Sequence, residues 1–335
     1  MQKLAIVITT IQRPTSAVRL LASIQNSIDT SFFVVGDRKG PEDFQLSGVS
    51  FLSLQNQLDS DIELARHTPV AHYSRKNIGY LAAIRSGAQC IYETDDDNAP
   101  MENWHWRNEI VECVSAVQNG WCNVYQHFTE ERIWPRGLPL DEIVASVARP
   151  VAASRLPVTV QAPIQQGLAN NSPDVDAVWR LVLDRPFNFN TAPSIYLPSG
   201  VWCPFNSQST WWWPFAFPLL YLPSYCSFRM TDIWRSFVAQ RCMWELGLGV
   251  VFHAPEVVQD RNPHLLMRDF NDEIPGYQQN RSIVSTLEEL TLAPGPGKVA
   301  ENLRTCYEAL ISKKVFPIAE LSLVDLWIEG LRQSS

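Results

Sequence analysis

Gly87-Ala88-Gln89-Cys90-Ile91-Tyr92-Glu93-Thr94-Asp95-Asp96-Asp97-Asn98 is the stretch on which the fold turns. A glycine stops a helix, a short apolar run follows, and three aspartates end it. Two unit charges about 4 Å apart in a protein-like environment repel by roughly 4 kcal/mol. Such a cluster is therefore either solvated or wrapped around a divalent cation. An apolar run this short reads as a buried strand, which puts the aspartates at a strand's C-terminal end. In an open α/β sheet that edge is where ligands bind. Hard oxygen ligands suit Mg²⁺ or Mn²⁺, which are commonly shared with substrate phosphates.

The segments upstream repeat a strand–turn–helix rhythm. Leu4–Ile8 is a strand, Thr9–Pro14 a turn, and Thr15 or Ser16 caps a helix running to about Asn26. Phe32–Val35 is a second strand ending in the turn-rich Gly36–Pro41, and Val49–Leu54 a third. Ser74 or Asn77 opens a helix that stops at Gly87, and Cys90–Thr94 is the fourth strand. Strands alternating with helices imply a mostly parallel sheet with covered faces. The strand ends near Thr9, Asp37 and Asp95 then line one crevice, suited to a nucleotide with its phosphates and metal.

Composition excludes several classes. The 335 residues are 46% hydrophobic and 19% charged, an ordinary globular mix. A net charge of −8 argues against a nucleic-acid partner, which needs a basic face. No apolar run approaches the roughly 20 residues of a membrane span. Seven scattered cysteines, never in a CxxC pair, imply neither a disulfide framework nor a zinc site. The expectation is a soluble, cytoplasmic protein, or the soluble domain of a trimmed membrane-anchored precursor. Gly295-Pro296-Gly297-Lys298 lacks the upstream glycine of a phosphate loop and has Val299 where Ser or Thr belongs.

Further blocks stand out beside the aspartate cluster: Tyr73–Ile84 with Glu93–Asn98, Val35–Lys39, Ile133–Leu140, Ile164–Leu168, Pro173–Ala177, Pro204–Thr210, Asp232–Arg235 and Gln240-Arg241. Together they resemble the STELLO-type glycosyltransferases, which carry a GT-A-like domain. The blocks run in order over about residues 4–280. The sequence opens at its first strand, and the expectation from this resemblance is that the amino-terminal anchor of plant members is missing. A more distant similarity is to the reversibly glycosylated polypeptides, which include UDP-arabinopyranose mutase.

The resemblance implies an α/β, GT-A-like (Rossmann-like) fold: a mostly parallel mixed sheet, irregular aromatic-rich insertions and a short helical tail. The expected division is residues 1–290 for the catalytic domain, with a nucleotide-binding half to 100 and an acceptor-side half to 290, and 291–335 for a helical extension. It also implies metal-dependent transfer from a nucleotide sugar, UDP-linked, to a glycan or other hydroxyl acceptor. A nucleotide-sugar mutase is the alternative within enzymes. A silent scaffold or sugar-binding protein using its tryptophan-rich surface is the alternative outside them.

On this reading Asp95 and Asp97 hold Mn²⁺ or Mg²⁺, because alternate residues at a strand end point the same way. Asp96 faces the sugar or its supporting shell. Thr9, Arg13 and Asp37 sit where such a fold reads base, ribose and diphosphate, and Arg75 and Lys76 add positive charge near the phosphates. Arg136 belongs to a family block and is a further site candidate. His264, ahead of His253, completes the metal shell. The general base is Asp232, flanked by Arg229 and Arg235, with Asp174 and Asp176 next. Asp232 or Thr231 alternatively caps the following helix.

Trp202, Trp211, Trp212 and Trp213, set among prolines, serve core packing, an interface or acceptor contact. Past the breaker cluster Leu292–Gly297, apolar stripes at Val299/Leu303/Cys306/Leu310 and at Leu321/Val324/Trp327/Leu331 predict two amphipathic helices. These bury themselves on the main domain or on a second subunit, leaving a homo-oligomer open.

Overall fold

The computed structural model describes residues 3–25, 30–147, 149–261 and 265–334. Its N-terminal strands are β1 (Leu4–Thr9), β2 (Thr30–Val35), β3 (Val49–Leu52), β4 (Cys90–Thr94), β5 (Asn98–Pro100) and β6 (Ile110–Ser115). The later ones are β7 (Gly120–Trp121), β8 (Val158–Gln161), β9 (Ile164–Asn170), β10 (Ile195–Leu197), β11 (Val201–Trp202), β12 (Ser209–Trp212) and β13 (Val250–Gln259). One sheet runs β3-β2-β1-β4-β12-β9-β13-β10-β6-β8, with β5 on β13; β7 and β11 form a separate ribbon.

β3, β2, β1 and β4 are parallel neighbours. β12 is antiparallel to both β4 and β9, and β13 runs parallel to β9. This is the mixed α/β sheet of a GT-A-like fold. The chain moves outward from β1 to β3 and then crosses back to β4 on β1's other side. That reversal opens a crevice at the C-terminal ends of β1 and β4.

β1 is apolar and buried from Leu4 through Ile8, as expected of a strand covered on both faces. The helix Lys76–Arg85 packs across β1 and β2. Gly79 permits that approach: a Cβ there would lie 2.5 Å from Val35 Cγ2 and 2.8 Å from Val7 Cγ1. Thr15, not Ser16, caps the first helix (Ser16–Gln25), its Oγ1 accepting from Val18 N at 3.2 Å. The expected end of that helix near Asn26 lies outside the described residues.

The third strand stops at Leu52 because Ser53 caps a helix, Leu54–Asp59, accepting from Asn56 N. Trp202, Trp211, Trp212 and Trp213 are buried to within 1% and belong to the core, which removes the tryptophan-rich surface that a scaffold reading needs. The two C-terminal helices, Val299–Ser312 and Ala319–Arg332, bury their stripes on this same chain. Trp327 Nε1 donates to Pro218 O, and Tyr221 OH donates to Glu320. No helix among the described residues is long and apolar enough to cross a membrane.

Candidate active site

A cleft of about 930 Å³ opens at the reversal point. Its floor is the turn after β4, where Asp95, Asp96 and Asp97 all face it. The ends of β1 and β2, Thr9–Gln12 and Val35–Asp37, form one wall with Ala71–Tyr73. The opposite wall carries Arg136, Asp174, Arg180, Gln208, Arg229, Asp232, Gln259 and Arg261.

Each aspartate of the turn has its own support. Asp95 Oδ1 accepts from Tyr73 OH at 2.7 Å and from Lys76 Nζ at 3.0 Å. Asp96 Oδ2 accepts from the Thr10 hydroxyl. Asp97 accepts from Gln259 Nε2 at 3.2 Å, and its carbonyl accepts from Asp260 N. Burial raises all three carboxyls above their ordinary value; Asp97 reaches about 7, with the charge of Asp95 adding to the effect. Lys76 is the one cation within ion-pair distance of the trio among the described residues.

Three carboxylates with so little compensation fit a divalent cation. Among the described residues no three His, Cys, Asp or Glu side chains converge on one point. The turn can therefore supply part of a coordination shell, with water and substrate oxygens completing it.

The other expected residues divide. Thr9 and Asp37 line the cleft. Asp37 also braces the wall, its carboxylate accepting from Arg38 N, Ala71 N and His72 N at 2.7, 2.8 and 3.0 Å. Arg13 is exposed outside the cleft, 3.7 Å from Asp43. Arg75 touches the cleft but is 1% exposed, donating to Gln57 Oε1 and to the carbonyls of Ala65 and Thr68. Lys76 is wholly buried beneath Asp95, with Nζ also donating to Tyr73 OH and Thr94 O.

His253 is packed away from the cleft between Ser194 and Gln165, and burial holds its ring well below the ordinary pKa. His264 lies outside the described residues.

Arg136 organises the wall opposite β1 and β2. Its Nε and Nη2 donate to Asp174 at 2.8 and 2.7 Å, and its Nη1 and Nη2 donate to Asp232 at 2.9 and 2.8 Å. Gly137, at φ +93°, lets the loop after Arg136 turn; a Cβ there would lie 2.5 Å from Ile233 Cγ2. Burial works to raise Asp174's pKa, but the Arg136 charge overrides it and holds the group below the usual range.

The expected flanks of Asp232 do not serve it. Arg235 turns inward to Glu93 Oε1 at 3.0 Å, and Arg229 pairs with Glu273 at 2.8 Å. Asp232 Oδ1 also accepts from Ile233 N within the helix Thr231–Trp244. Asp176 caps the short helix Ala177–Val182, accepting from Trp179 N and Trp134 Nε1, both at 2.8 Å, and does not line the cleft. Burial pushes its carboxyl up to about 7.

Sequence reasoning missed Thr10, Gln208 and Arg180 as cleft residues. Gln208 Nε2 donates to Gln259 Oε1 at 2.8 Å, joining β12 to β13 beside Asp97. Thr10 and Arg180 carry no motif signal, and Gln208 has only its place in the Pro204–Thr210 block; the sheet order brings them to the cleft.

Residues 229–335 match the model of the family described as STELLO glycosyltransferases. Over 272 residues the chain is 31% identical to "Probable glycosyltransferase STELLO2" of Arabidopsis thaliana, covering 75% of this chain and 35% of that protein. Over 271 residues it is 31% identical to "Probable glycosyltransferase STELLO1" of the same plant, covering 75% and 34%. The chain spans about a third of the length of these curated relatives.

Proposed function

This chain belongs to the STELLO-type family, and we propose that its cleft transfers a sugar from a UDP-linked nucleotide sugar to a hydroxyl acceptor with the help of Mn²⁺ or Mg²⁺. The observation that carries the reading is the gathering of Asp95, Asp96 and Asp97 at the C-terminal end of β4 inside a nucleotide-sized cleft. A bound divalent cation supplies Lewis-acid stabilisation of the charge that develops on the departing diphosphate. Asp95 and Asp97 would hold it. Thr10 fixes Asp96, Gln259 orients Asp97, and Tyr73 and Lys76 orient Asp95. Thr9, Thr10, Gly36, Asp37 and His72 form the wall against which the nucleoside lies.

Transfer with inversion needs a proton acceptor on the opposite wall. Asp174 is held below the usual carboxylate range and takes a proton poorly. Asp176 is turned to two tryptophans rather than to the cleft. Asp232 faces the cleft and is the group we assign as base.

The test is a thermal shift with UDP and UDP-sugars, with and without Mn²⁺, on wild type, Asp95→Ala and Asp97→Ala. A ligand at a hundred times its Kd stabilises by about 2.7 kcal/mol. Metal-dependent stabilisation in wild type and its loss in both folded variants is the expected result. Undiminished Mn²⁺-dependent UDP binding in both variants rules the metal assignment out.

A further inference from the structure

Arg180 stands apart from the other buried and half-buried arginines of the cleft. Arg136, Arg229 and Arg261 each have a carboxylate within 4 Å. Arg75 has none but spreads its donors over Gln57 and two backbone carbonyls. Arg180 is 6% exposed, and among the described residues it has no carboxylate at ion-pair distance. Its Nη2 donates to Pro173 O at 2.7 Å, and its Nε has no partner.

A buried charge without a counter-ion is strongly unfavourable. Burial depresses the Arg180 pKa to about 10, and the charges of Arg261 and Arg229 add to that effect against the weaker opposing pull of the more distant Asp174 and Asp184. Arg180 is among the residues that line the cleft, which sets its side chain beside a ligand held there. A planar fork of N–H donors matches the oxygens of a phosphate or carboxylate.

Its place in the sheet separates it from the nucleoside wall. Arg180 follows β9, and Arg261 lies two residues past β13, whose Gln259 touches Asp97. β9 and β13 lie on the side of β4 opposite β1 and β2, which carry Thr10 and Asp37.

We propose that Arg180, seconded by Arg261 and Arg229, forms a subsite for one anionic group, a phosphate or a carboxylate, carried by the substrate beyond the donor diphosphate. The identity of that substrate rests on the glycosyltransferase reading; the presence of the subsite does not. The group belongs either to the acceptor or to the donor sugar itself.

The experiment uses the full chain, wild type and Arg180→Met, with Arg180→Lys as the charge-keeping control. Thermal shifts are read with sodium phosphate and sodium glucuronate against sodium chloride at matched ionic strength, without metal or nucleotide. Wild type is expected to gain stability from the oxyanions, Arg180→Met to bind them roughly tenfold or more weakly, and Arg180→Lys to recover part of the loss. Because this arm needs neither Mn²⁺ nor UDP, a failure of the donor reading leaves it interpretable.

Calorimetry with UDP-glucuronate and UDP-glucose, and with free glucuronate and glucose, then identifies the source. A wild-type preference for the charged partner that vanishes in Arg180→Met marks which substrate carries the group. Equal oxyanion stabilisation in wild type and Arg180→Met overturns the proposal. So does a parallel loss of UDP affinity, which assigns the arginine to the diphosphate. A ligand-free Arg180→Met melting well below wild type also overturns it, since the guanidinium would then be satisfied within the fold.

Discussion

Replacing Arg136 by Met tests the architecture of the cleft wall that carries Asp174 and Asp232. The substitution keeps most of the side chain's length and removes its charge. It deletes hydrogen bonds from Nε, Nη1 and Nη2 to Asp174 and Asp232, leaving two buried carboxylates facing each other. Breaking a buried ion pair by removing one partner costs about 3–5 kcal/mol. Arg229, 3.8 Å from Asp174, still compensates part of the charge, so the lower end, about 3 kcal/mol at pH 7.5, is expected.

With a urea slope of about 3 kcal/mol per M, that loss lowers the unfolding midpoint by about 1 M. The pH dependence carries the sign. In wild type the folded-state pKa of Asp174 is depressed, so its stabilisation is present above the unfolded value near 3.9 and is lost as pH falls through the folded value. Without Arg136, burial instead raises the Asp174 carboxyl, which takes up a proton as the pH falls. The gap between variant and wild type is therefore wide at pH 7.5 and narrow at pH 4.5. Adding Asp174→Asn and Asp232→Asn to Arg136→Met should recover most of the loss. A deficit below about 1 kcal/mol, or one equal at both pH values, contradicts the buried-charge account.

The remaining predictions concern single residues. Asp232→Asn should lower kcat by about two to four orders of magnitude with donor affinity near wild type; full activity with an inverted product removes Asp232 as the base. Asp176→Ser keeps a helix cap but removes a carboxyl whose folded-state pKa is raised to about 7. A raised acid pKa makes wild-type stability fall as pH rises from about 4 to about 7, so the Ser variant should flatten that slope and leave activity in place. An unchanged pH slope in chemical denaturation would argue against this. Gly79→Ala gains about 1 kcal/mol in helix propensity but drives a methyl into Val7 and Val35. Overpacking of about 1–3 kcal/mol wins, so the melting temperature should fall; a rise would mean the helix can shift off the sheet.

The first half of the fold was legible because its strands are short apolar runs punctuated by glycines and polar turns. β1, β2 and β4 lie where the pattern puts them, and the aspartate turn sits at the sheet edge that this pattern implies. The second half hid its strands behind polar residues. β9 reads Ile-Gln-Gln-Gly-Leu-Ala-Asn, yet Gln165 and Gln166 are buried. Gln165 Nε2 donates to Asn108 O, and Gln166 Nε2 donates to Asn206 Oδ1 and Ser209 O. A buried amide satisfied by distant partners looks, in sequence, like an exposed one. β12 was obscured differently: its tryptophans and flanking prolines suggested irregular chain, while it is a central strand between β4 and β9.

The site shows the same division by distance along the chain. Asp95, Asp96 and Asp97 are consecutive, so their mutual repulsion could be reasoned from the sequence alone. The partners of Asp232 could not. Arg229 and Arg235 stand three residues away on either side, which made them natural counter-ions, and the helix turns both elsewhere. Arg235 is taken by Glu93, a carboxylate that burial works to raise and that the charges of Arg235 and Lys76 hold below its usual value. Trp212 Nε1 donates to the same carboxylate at 3.0 Å, tying the core of the sheet to the helix that carries Asp232. The ion actually beside Asp232 comes from Arg136, 96 positions earlier. Arg235 thus serves the helix that carries Asp232 by anchoring it to Glu93 of β4 rather than by touching Asp232. That buried pair joins β4, which ends in the aspartate turn, to the helix that carries Asp232, so substitutions at Glu93 or Arg235 are expected to act on the cleft by shifting one wall against the other.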